Sequence, residues 1–208
     1  MKYKKYWRKT SLKQKNIGDF FLKEIFLSKP KNFLEIGIFQ GVTARNICEL
    51  LYKIHKDDFR YIGVDIFELD EANKNRAVPD INFKNPLKQF YYRYIKREKP
   101  YSLESVQNLL KKFKKNIEIF KGDSKNILPK IDLSEINYVF LDGDHSYEAV
   151  INDLNNCKII VENNGVILCD DYDLSYAPGV KKAIDEFVNK EQYDIKILCK
   201  RFAKISKK

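Results

Sequence analysis

The sequence is poor in glycine, proline, cysteine and histidine, with 8, 6, 4 and 2 residues in a chain of 208. So little glycine and proline excludes a collagen-like or low-complexity chain. The cysteines are far apart and form no C-x-x-C pair, which excludes a dense disulfide framework and is typical of a reducing cytoplasm. We expect all four to be small buried side chains, two in helices (Cys48 and Cys157) and two in strands (Cys169 and Cys199).

Long apolar runs are also missing from the sequence. The first apolar stretch, residues 20–27, is interrupted by Lys23 and Glu24. It is too short and too charged to be the core of a signal sequence or a membrane span. We therefore expect a cytoplasmic protein without a membrane span.

Positive charge is abundant, but it lies at the two ends of the chain. The net charge is +10, with seven Lys or Arg and no acid in residues 1–15, and six with no acid in residues 196–208. The rest has 26 Lys or Arg against 29 Asp or Glu, a net charge of −3. A basic groove through the body is therefore not predicted, and solvated tails are the simpler interpretation. We expect a small-molecule partner rather than nucleic acid, and the sequence leaves a homo-oligomer open.

Length and composition, with 44% hydrophobic residues, fit one globular domain over residues 1–208. Short apolar runs alternate with stretches that have helical spacing of apolar residues, which is typical of a mainly parallel sheet covered on both faces. We therefore predict a doubly wound α/β fold with an N-terminal helical extension over residues 1–30. Predicted strands lie at 31–37, 60–66, 117–121, 136–141 and 166–169, and predicted helices at 17–28, 42–54, 102–114 and 147–161.

One segment, residues 68–100, breaks this alternation. It contains Pro79, Pro86 and Pro100 and a cluster of aromatic residues between positions 90 and 94. Structureless connections of this length are uncommon in compact domains and are often lids or binding loops. We predict a lid or substrate-binding insertion here, and a helix packed on the body is the alternative.

The first predicted strand ends in a glycine turn, Glu35-Ile-Gly37-Ile-Phe39-Gln-Gly41. Glycine lets a ligand approach the backbone at the carboxyl end of a strand. Asp65, at the end of the second strand, can accept hydrogen bonds from both ribose hydroxyls, and Glu35 adds an acceptor for an ammonium group. These parts favour an adenosyl ligand with an ammonium group over a dinucleotide, because Phe39 breaks the G-x-G-x-x-G pattern.

Three motifs resemble those of class I methyltransferases in order and spacing over residues 33–171: Glu35-x-Gly37-x-x-x-Gly41-x-Thr43, Asp65 after an apolar strand, and Lys121-Gly122-Asp123-Ser124. The resemblance implies a seven-stranded Rossmann-like sheet and S-adenosylmethionine as cofactor. The contacts it implies are Glu35 and Gly37 with the methionine part, Asp65 with the ribose, Asp123 and Ser124 with the adenine edge, and Gly41, Thr43 and Asp142 nearby. The residues alone leave open that Gly122-Asp123 is a plain turn and helix N-cap.

Two acidic clusters follow predicted strands. Asp142-Gly-Asp144-His145 comes after one strand, and Asp170-Asp171 comes after the next. Because the carboxyl ends of neighbouring parallel strands meet at one edge, we expect these acids to converge beside the cofactor. Their mutual repulsion calls for a positive group. A divalent cation with oxygen ligands meets that need, and a lysine is the alternative.

These clusters resemble the cation-dependent O-methyltransferases: the catechol type and, more closely, the type that methylates sugar hydroxyls of macrolide and aminocoumarin antibiotics. The resemblance implies that Asp142, Asp170 and Asp171 hold Mg²⁺ or Mn²⁺. It also implies that His145 or Asp144 removes the proton of the acceptor hydroxyl. The residues alone leave open that His145 and Asp144 only cap the following helix.

The sequence thus predicts S-adenosylmethionine-dependent, metal-assisted O-methylation of a hydroxyl on a small molecule. A sugar or nucleotide-linked sugar is the favoured acceptor, and a catechol-like phenol comes next. The alternatives are an NAD-dependent oxidoreductase, a catalytically inactive nucleotide-binding or scaffold protein, and an RNA methyltransferase. Binding of NAD alone would favour the first, and cofactor binding without turnover would favour the second.

Overall fold

A computed structural model of the chain describes residues 1–4, 8–67, 85–95 and 101–208. The strands in these residues are β1 (Asn32–Ile36), β2 (Arg60–Asp65), β3 (Ile117–Lys121), β4 (Tyr138–Leu141), β5 (Val166–Cys169), β6 (Asp194–Leu198) and β7 (Phe202–Ser206). They form one sheet in the order β3-β2-β1-β4-β5-β7-β6. The first five strands are parallel, and β7 runs antiparallel to both β5 and β6. The predicted seven-stranded, mainly parallel sheet is confirmed.

The connections between the strands are mostly helical. The helices are α1 (Lys15–Ser28), α2 (Val42–His55), α3 (Pro86–Phe90), α4 (Leu103–Leu110), α5 (Ser124–Ile127), α6 (Tyr147–Asn156), α7 (Lys158–Glu162) and α8 (Pro178–Glu191), with a π-helical turn at Tyr91–Ile95 and 3₁₀ turns at Lys111–Phe113 and Leu128–Lys130. The single helix predicted over 147–161 is wrong, because the helix breaks at Cys157. The break allows both Leu154 of α6 and Ile160 of α7 to pack in the same core.

Helices cover both faces of the sheet, as the continuous apolar strands require. Successive strand residues point to opposite faces. On one face, α6, α7 and α8 pack on residues such as Leu34 and Val139. On the other face, α1, α2 and α4 pack on residues such as Phe33 and Phe140. Because β1, β2 and β4 are parallel, their carboxyl ends lie at the same edge of the sheet, between the two helical layers.

The β6–β7 hairpin turns at residues 199–201, where Cys199 and Lys200 both have φ of +53°. Cys199 is exposed in this turn, so the prediction of a buried strand position is wrong for it. Cys48, Cys157 and Cys169 are buried as predicted. The turn is closed by the Arg201 N–H, which donates to the Leu198 carbonyl over 3.1 Å, and the Arg201 guanidinium reaches Asp170 at the end of β5.

Two predicted segments are described only in part. Within the predicted N-terminal extension, α1 is preceded by residues 8–14, which are not helical. Of the predicted insertion, residues 85–95 form α3 and the π-helical turn, and the rest of the predicted lid, including Pro79 and Pro100, lies outside the described residues. None of the helices in the described ranges has the length and apolar character needed to cross a membrane.

Candidate active site

A cavity of about 1220 Å³ lies at the carboxyl ends of β1, β2 and β4. This is the end of a doubly wound sheet where ligands bind. The sequence-predicted residues that line it are Gly37, Thr43, Asp65, Asp123, Ser124, Asp142, Asp144 and His145. Four others, Glu35, Gly41, Asp170 and Asp171, do not line it. The fold therefore brings most of the predicted cofactor and reaction residues to one cavity.

The turn after β1 depends on glycine for two reasons. Gly37 has φ of +93°, and a Cβ there would lie 2.0 Å from the carbonyl oxygen of Asp142, so no larger residue fits. Gly41 has φ of +74° and precedes α2 as its N-cap. Phe39 also has a positive φ, +52°, and its N–H donates to Asp65 Oδ2 over 2.7 Å. The turn therefore ties the end of β1 to the end of β2.

Asp65 is buried at the cavity wall and is held by three donors. Its Oδ1 accepts hydrogen bonds from the Phe67 N–H and the Tyr101 hydroxyl, both over 2.9 Å. Burial raises the pKa of Asp65, although these hydrogen bonds oppose the shift. The ring of Tyr101 packs on Phe39 and Phe67, with ring centres 5.6 and 6.0 Å apart. The carboxylate is thus fixed in direction before any ligand binds.

Glu35 does not reach the cavity. Its side chain is fully buried beneath the turn, where Oε2 accepts from the Tyr61 hydroxyl over 2.5 Å. The other oxygen has no hydrogen-bond partner among the described residues. Burial raises the pKa of Glu35 to about 8, although the hydrogen bond from Tyr61 opposes the shift. The predicted contact of Glu35 with a ligand ammonium group is therefore not available in this arrangement, because the carboxyl points into the core.

Asp123 and Ser124 form a polar end of the cavity together with Asp153. Asp123 caps α5 by accepting from the Lys125 N–H over 2.9 Å, which is the capping role left open by the sequence, and it also lines the cavity. Asp153, on α6, is only 4% exposed, and its Oδ1 has no hydrogen-bond partner among the described residues. Burial raises its pKa to about 6, opposed by a hydrogen bond with Ser124.

The three aspartates after β4 and β5 converge as predicted, but Arg201 lies among them. Its guanidinium donates to both oxygens of Asp170, over 2.5 and 2.6 Å, and lies 3.3 Å from an oxygen of Asp171. This is the fork-to-fork geometry of a strong ion pair. A positive group was expected beside these acids. Arg201 supplies part of that charge, in place of the lysine that the sequence left as the alternative.

His145 and Asp171 form a second pair beside Arg201. The distance from His145 Nε2 to Asp171 Oδ2 is 3.0 Å, and the Tyr176 hydroxyl donates to Asp171 Oδ1 over 2.8 Å. The hydrogen bond with Asp171 raises the pKa of His145, against a smaller effect of burial. Burial raises the pKa of Asp171, but hydrogen bonds from His145 and Tyr176 and the charge of Arg201 outweigh it and hold that pKa low. Asp171 therefore stays ionised and makes His145 more basic.

Asp144 and Asp142 differ in surroundings. Asp144 is exposed, and its Oδ1 accepts from the Ser146 N–H over 2.6 Å at the start of α6. Asp142 Oδ2 accepts from the Ser11 hydroxyl over 2.8 Å. Burial and the charges of Asp170 and Asp171 raise the pKa of Asp142 well above its usual range. One arginine thus does not neutralise the cluster.

The donor set fits a divalent cation in part. Ligand atoms of Asp142, His145 and Asp171 lie within 4.8 Å of one another, and oxygen ligands such as these carboxylates suit a hard divalent cation. Arg201 donates to both oxygens of Asp170, whereas Oδ1 of Asp171 accepts from the Tyr176 hydroxyl and its Oδ2 lies 3.0 Å from His145 Nε2. Of the three predicted ligands, Asp142 and Asp171 therefore lie close together beside His145, and Asp170 is paired with Arg201. Metal binding by these aspartates stays a prediction.

Comparison with known proteins agrees with this geometry. Residues 34–172 match a family described as a methyltransferase domain, over more than half of the chain. The chain belongs to this methyltransferase family. The methyltransferase is also 30% identical over 144 residues to the uncharacterized protein R132 of Acanthamoeba polyphaga mimivirus. That match covers 64% of this chain and 61% of R132, so the chain spans about three fifths of its relative's length.

Solved structures share the fold of the methyltransferase. The O-methyltransferase NovP has a TM-score of 0.63 at 18% identity, with 89% of this chain and 76% of NovP covered. The SAH-bound methyltransferase PaMTH1 of Podospora anserina has a TM-score of 0.59 at 15% identity, covering 98% and 86%. CalS11, a TDP-rhamnose 3'-O-methyltransferase of calicheamicin biosynthesis, has 0.59 at 17%, covering 94% and 81%. These similarities confirm the class I methyltransferase fold.

Four residues of the methyltransferase cavity were missed in the sequence: Ser11, Tyr101, Asp153 and Arg201. Asp153 could have been found, because it is an acid on the apolar face of α6, between Val150 and Leu154. Ser11, Tyr101 and Arg201 carry no motif. They reach the cavity only through tertiary packing of segments that are distant in sequence.

Proposed function

We propose that this protein transfers the methyl group of S-adenosylmethionine to a hydroxyl oxygen of a small molecule. A sugar or nucleotide-linked sugar is the first candidate acceptor, and a catechol-like phenol is the second. The observation that carries the proposal is that one cavity contains both the Gly37 turn with Asp65 and the His145–Asp171 pair. A cofactor site and a proton acceptor are what transfer to an oxygen requires.

At the cofactor end, Asp65 is proposed to accept from the ribose. One hydroxyl can join the Phe39 N–H at Oδ2, and the other can replace the Tyr101 hydroxyl at Oδ1. Gly37 leaves room for the methionine part against the backbone. Asp123, Ser124 and Asp153 remain for the adenine edge, since they form the polar end of the same cavity.

At the acceptor end, we assign the base to His145. If its Nε2–H donates to Asp171, its Nδ1 is left to accept the hydroxyl proton, and the Asp171 carboxylate stabilises the imidazolium that forms. The acceptor oxygen then forms a bond to the methyl carbon while the carbon–sulfur bond breaks, and S-adenosylhomocysteine leaves. Asp144 is the alternative base.

The proposal includes a divalent cation, Mg²⁺ or Mn²⁺, bound by oxygens of Asp142 and Asp171. When bound, such an ion lowers the pKa of a coordinated hydroxyl. Arg201 holds Asp170, and the Asp171 N–H donates to Asp170 Oδ1 over 2.9 Å. The arginine thereby orients the loop that carries Asp171. His145 then serves as the base and not as a ligand.

Methyl transfer from radiolabelled S-adenosylmethionine tests this function. UDP-glucose, glucose, catechol and an RNA oligonucleotide are offered as acceptors, with Mg²⁺ and with excess EDTA. We expect label in a hydroxyl compound, loss of activity in EDTA, and strong loss in Asp142→Asn but not in its matched control Asp144→Asn. Label only in RNA, or binding of NAD without S-adenosylhomocysteine, would contradict the proposal. Full activity in EDTA would remove the metal from it.

A further inference from the structure

The two basic ends of the sequence both border the cavity. Lys4, Lys9 and Lys13 line it from the N-terminal segment, and Lys200 lines it from the turn of the β6–β7 hairpin. These residues are exposed at their side chains. The sequence alone suggests that such lysines are solvated tails. Their convergence on one cavity calls for a different explanation.

The backbone of the N-terminal segment is held firmly at residues 8–12. Arg8 is only 5% exposed, and its guanidinium donates to the Gln40 carbonyl over 2.6 Å and to the Ser105 hydroxyl over 2.7 Å. Leu12 is fully buried. Lys9 and Lys13 therefore project from an anchored segment, not from a free tail. Their charges are carried at defined positions beside the cavity.

Both basic elements contact the acidic cluster at the acceptor end. In the N-terminal segment, the Ser11 hydroxyl donates to Asp142 over 2.8 Å and lies 3.4 Å from an oxygen of Asp170. In the hairpin, Arg201 is paired with Asp170 and is the immediate neighbour of Lys200. The lysines are thus attached to the two elements that touch the proposed reaction centre, and the N-terminal one is also tied to the cofactor turn, where the Lys9 N–H donates to Gln40 Oε1 over 2.5 Å.

The charge of these lysines is not neutralised within the described part of the chain. No carboxylate there pairs with the ammonium groups of Lys9, Lys13 or Lys200, whereas Arg201 is fully engaged. The cavity therefore combines acids at the strand ends with unpaired cations around them. An acceptor with a hydroxyl at one end and an anionic group at the other would match both. A long polyanion such as RNA would also meet the acids, which repel it.

We infer that the methyl acceptor carries a phosphate or diphosphate group, which Lys9, Lys13 and Lys200 hold while its hydroxyl faces His145. This inference rests on the proposed function and narrows its substrate class to phosphorylated or nucleotide-linked hydroxyl compounds. The lysines are binding residues in it and take no part in the chemical step.

Calorimetric titration of the full chain, loaded with S-adenosylhomocysteine, tests the inference with UDP as the probe. The variant is the triple substitution Lys9→Gln, Lys13→Gln, Lys200→Gln. Its matched control is Lys111→Gln, Lys114→Gln, Lys115→Gln, which removes the same charge from exposed lysines outside the cavity lining. We expect the Kd for UDP to rise about tenfold or more in the first variant, since charge-assisted contacts are lost, and less than about twofold in the control.

Neutral glucose should bind far more weakly than UDP, and glucose 1-phosphate tests whether one phosphate suffices. Equal weakening of UDP by both triple variants, or glucose binding as tight as UDP binding, would overturn the inference. Single-stranded RNA that binds more tightly than UDP and depends on both lysine sets would also overturn it. Failure of the wild-type chain to bind S-adenosylhomocysteine in the loading step would instead overturn the proposed function. Failure of the inference and failure of the proposed function therefore give different experimental results.

Discussion

His145 and Asp144 are neighbours in the sequence but have different surroundings. His145 is paired with the ionised Asp171, whereas Asp144 accepts from a backbone N–H at the start of α6. We predict that His145→Gln lowers the turnover number by roughly 10² to 10⁴, the usual contribution of a positioned base. Asp144→Asn should change it by less than about tenfold. Steady-state kinetics with S-adenosylhomocysteine affinity measured alongside would show this, and the reverse pattern would assign the base to Asp144.

Asp65 is the residue on which cofactor affinity should depend most. Asp65→Asn keeps the size of the side chain but removes the charge that strengthens hydrogen bonds to ribose hydroxyls. We predict that the Kd for S-adenosylhomocysteine rises about tenfold or more, because a hydrogen bond to a charged group contributes roughly 1.5–3 kcal/mol. Tyr101→Phe is the control, since it removes the competing hydroxyl and should leave affinity equal or higher. Unchanged affinity in Asp65→Asn, with an unchanged melting temperature, would place the cofactor elsewhere.

Glu35 makes a pH-dependent contribution to stability. Its pKa is about 8 in the folded chain against 4.5 as the ordinary value, because it is buried. The folded state therefore favours the protonated form, and this stabilisation is fully present below pH 4.5 and is lost as the pH rises towards 8. Glu35→Gln lacks the titration. Its free energy of unfolding relative to wild type should thus increase between pH 5 and 9, by an amount on the order of a few kcal/mol.

Urea denaturation of both proteins across this pH range would measure the effect. The Tyr61 hydroxyl can still donate to the glutamine oxygen, so the comparison removes the charge and keeps the hydrogen bond. Parallel pH profiles for the two proteins would show that Glu35 is not buried as a proton-binding group.

Among the elements, the β6–β7 hairpin contributes a cation to the acidic part of the site. Arg201 is the cation for Asp170, which is only 3% exposed. Breaking a buried ion pair from one side leaves an unpaired charge, at a cost of about 3–5 kcal/mol. We predict that Arg201→Met lowers the free energy of unfolding by about 3 kcal/mol. The double variant Arg201→Met, Asp170→Asn should regain part of this loss, and additive losses in a denaturant cycle would argue against the pair.

The sequence predicts the strands better than the elements that flank the site. Continuous apolar runs such as Tyr138–Leu141 and Val166–Cys169 favour buried strands, and their alternation with helices indicates the parallel topology. The antiparallel return of β7 beside β5 depends on long-range pairing, which leaves no local pattern. Arg201 and Ser11 reach the acids only because of such packing, so the ion pair at Asp170 could not be foreseen.

At the scale of the whole molecule, the sheet topology determines where the acidic side chains of the site lie relative to the basic chain ends. Acids lie at the carboxyl ends of the parallel strands, where β4 and β5 end together. The N-terminal segment and the turn of the β6–β7 hairpin, both basic, line the cavity at the same edge. Part of the positive charge of the chain ends, at Lys4, Arg8, Lys9, Lys13, Lys200 and Arg201, therefore lies at this cavity.

Titration calorimetry of the full chain with S-adenosylhomocysteine and, separately, with NAD examines whether this cavity is an adenosyl-sulfonium site. The turn at Gly37, with Phe39 in place of a second glycine, and the carboxylate of Asp65 favour the first ligand. We predict one-to-one binding of S-adenosylhomocysteine, an increase in melting temperature with its concentration, and no detectable binding of NAD. Binding of NAD with no heat from S-adenosylhomocysteine would contradict the assignment of this cavity to methyl transfer.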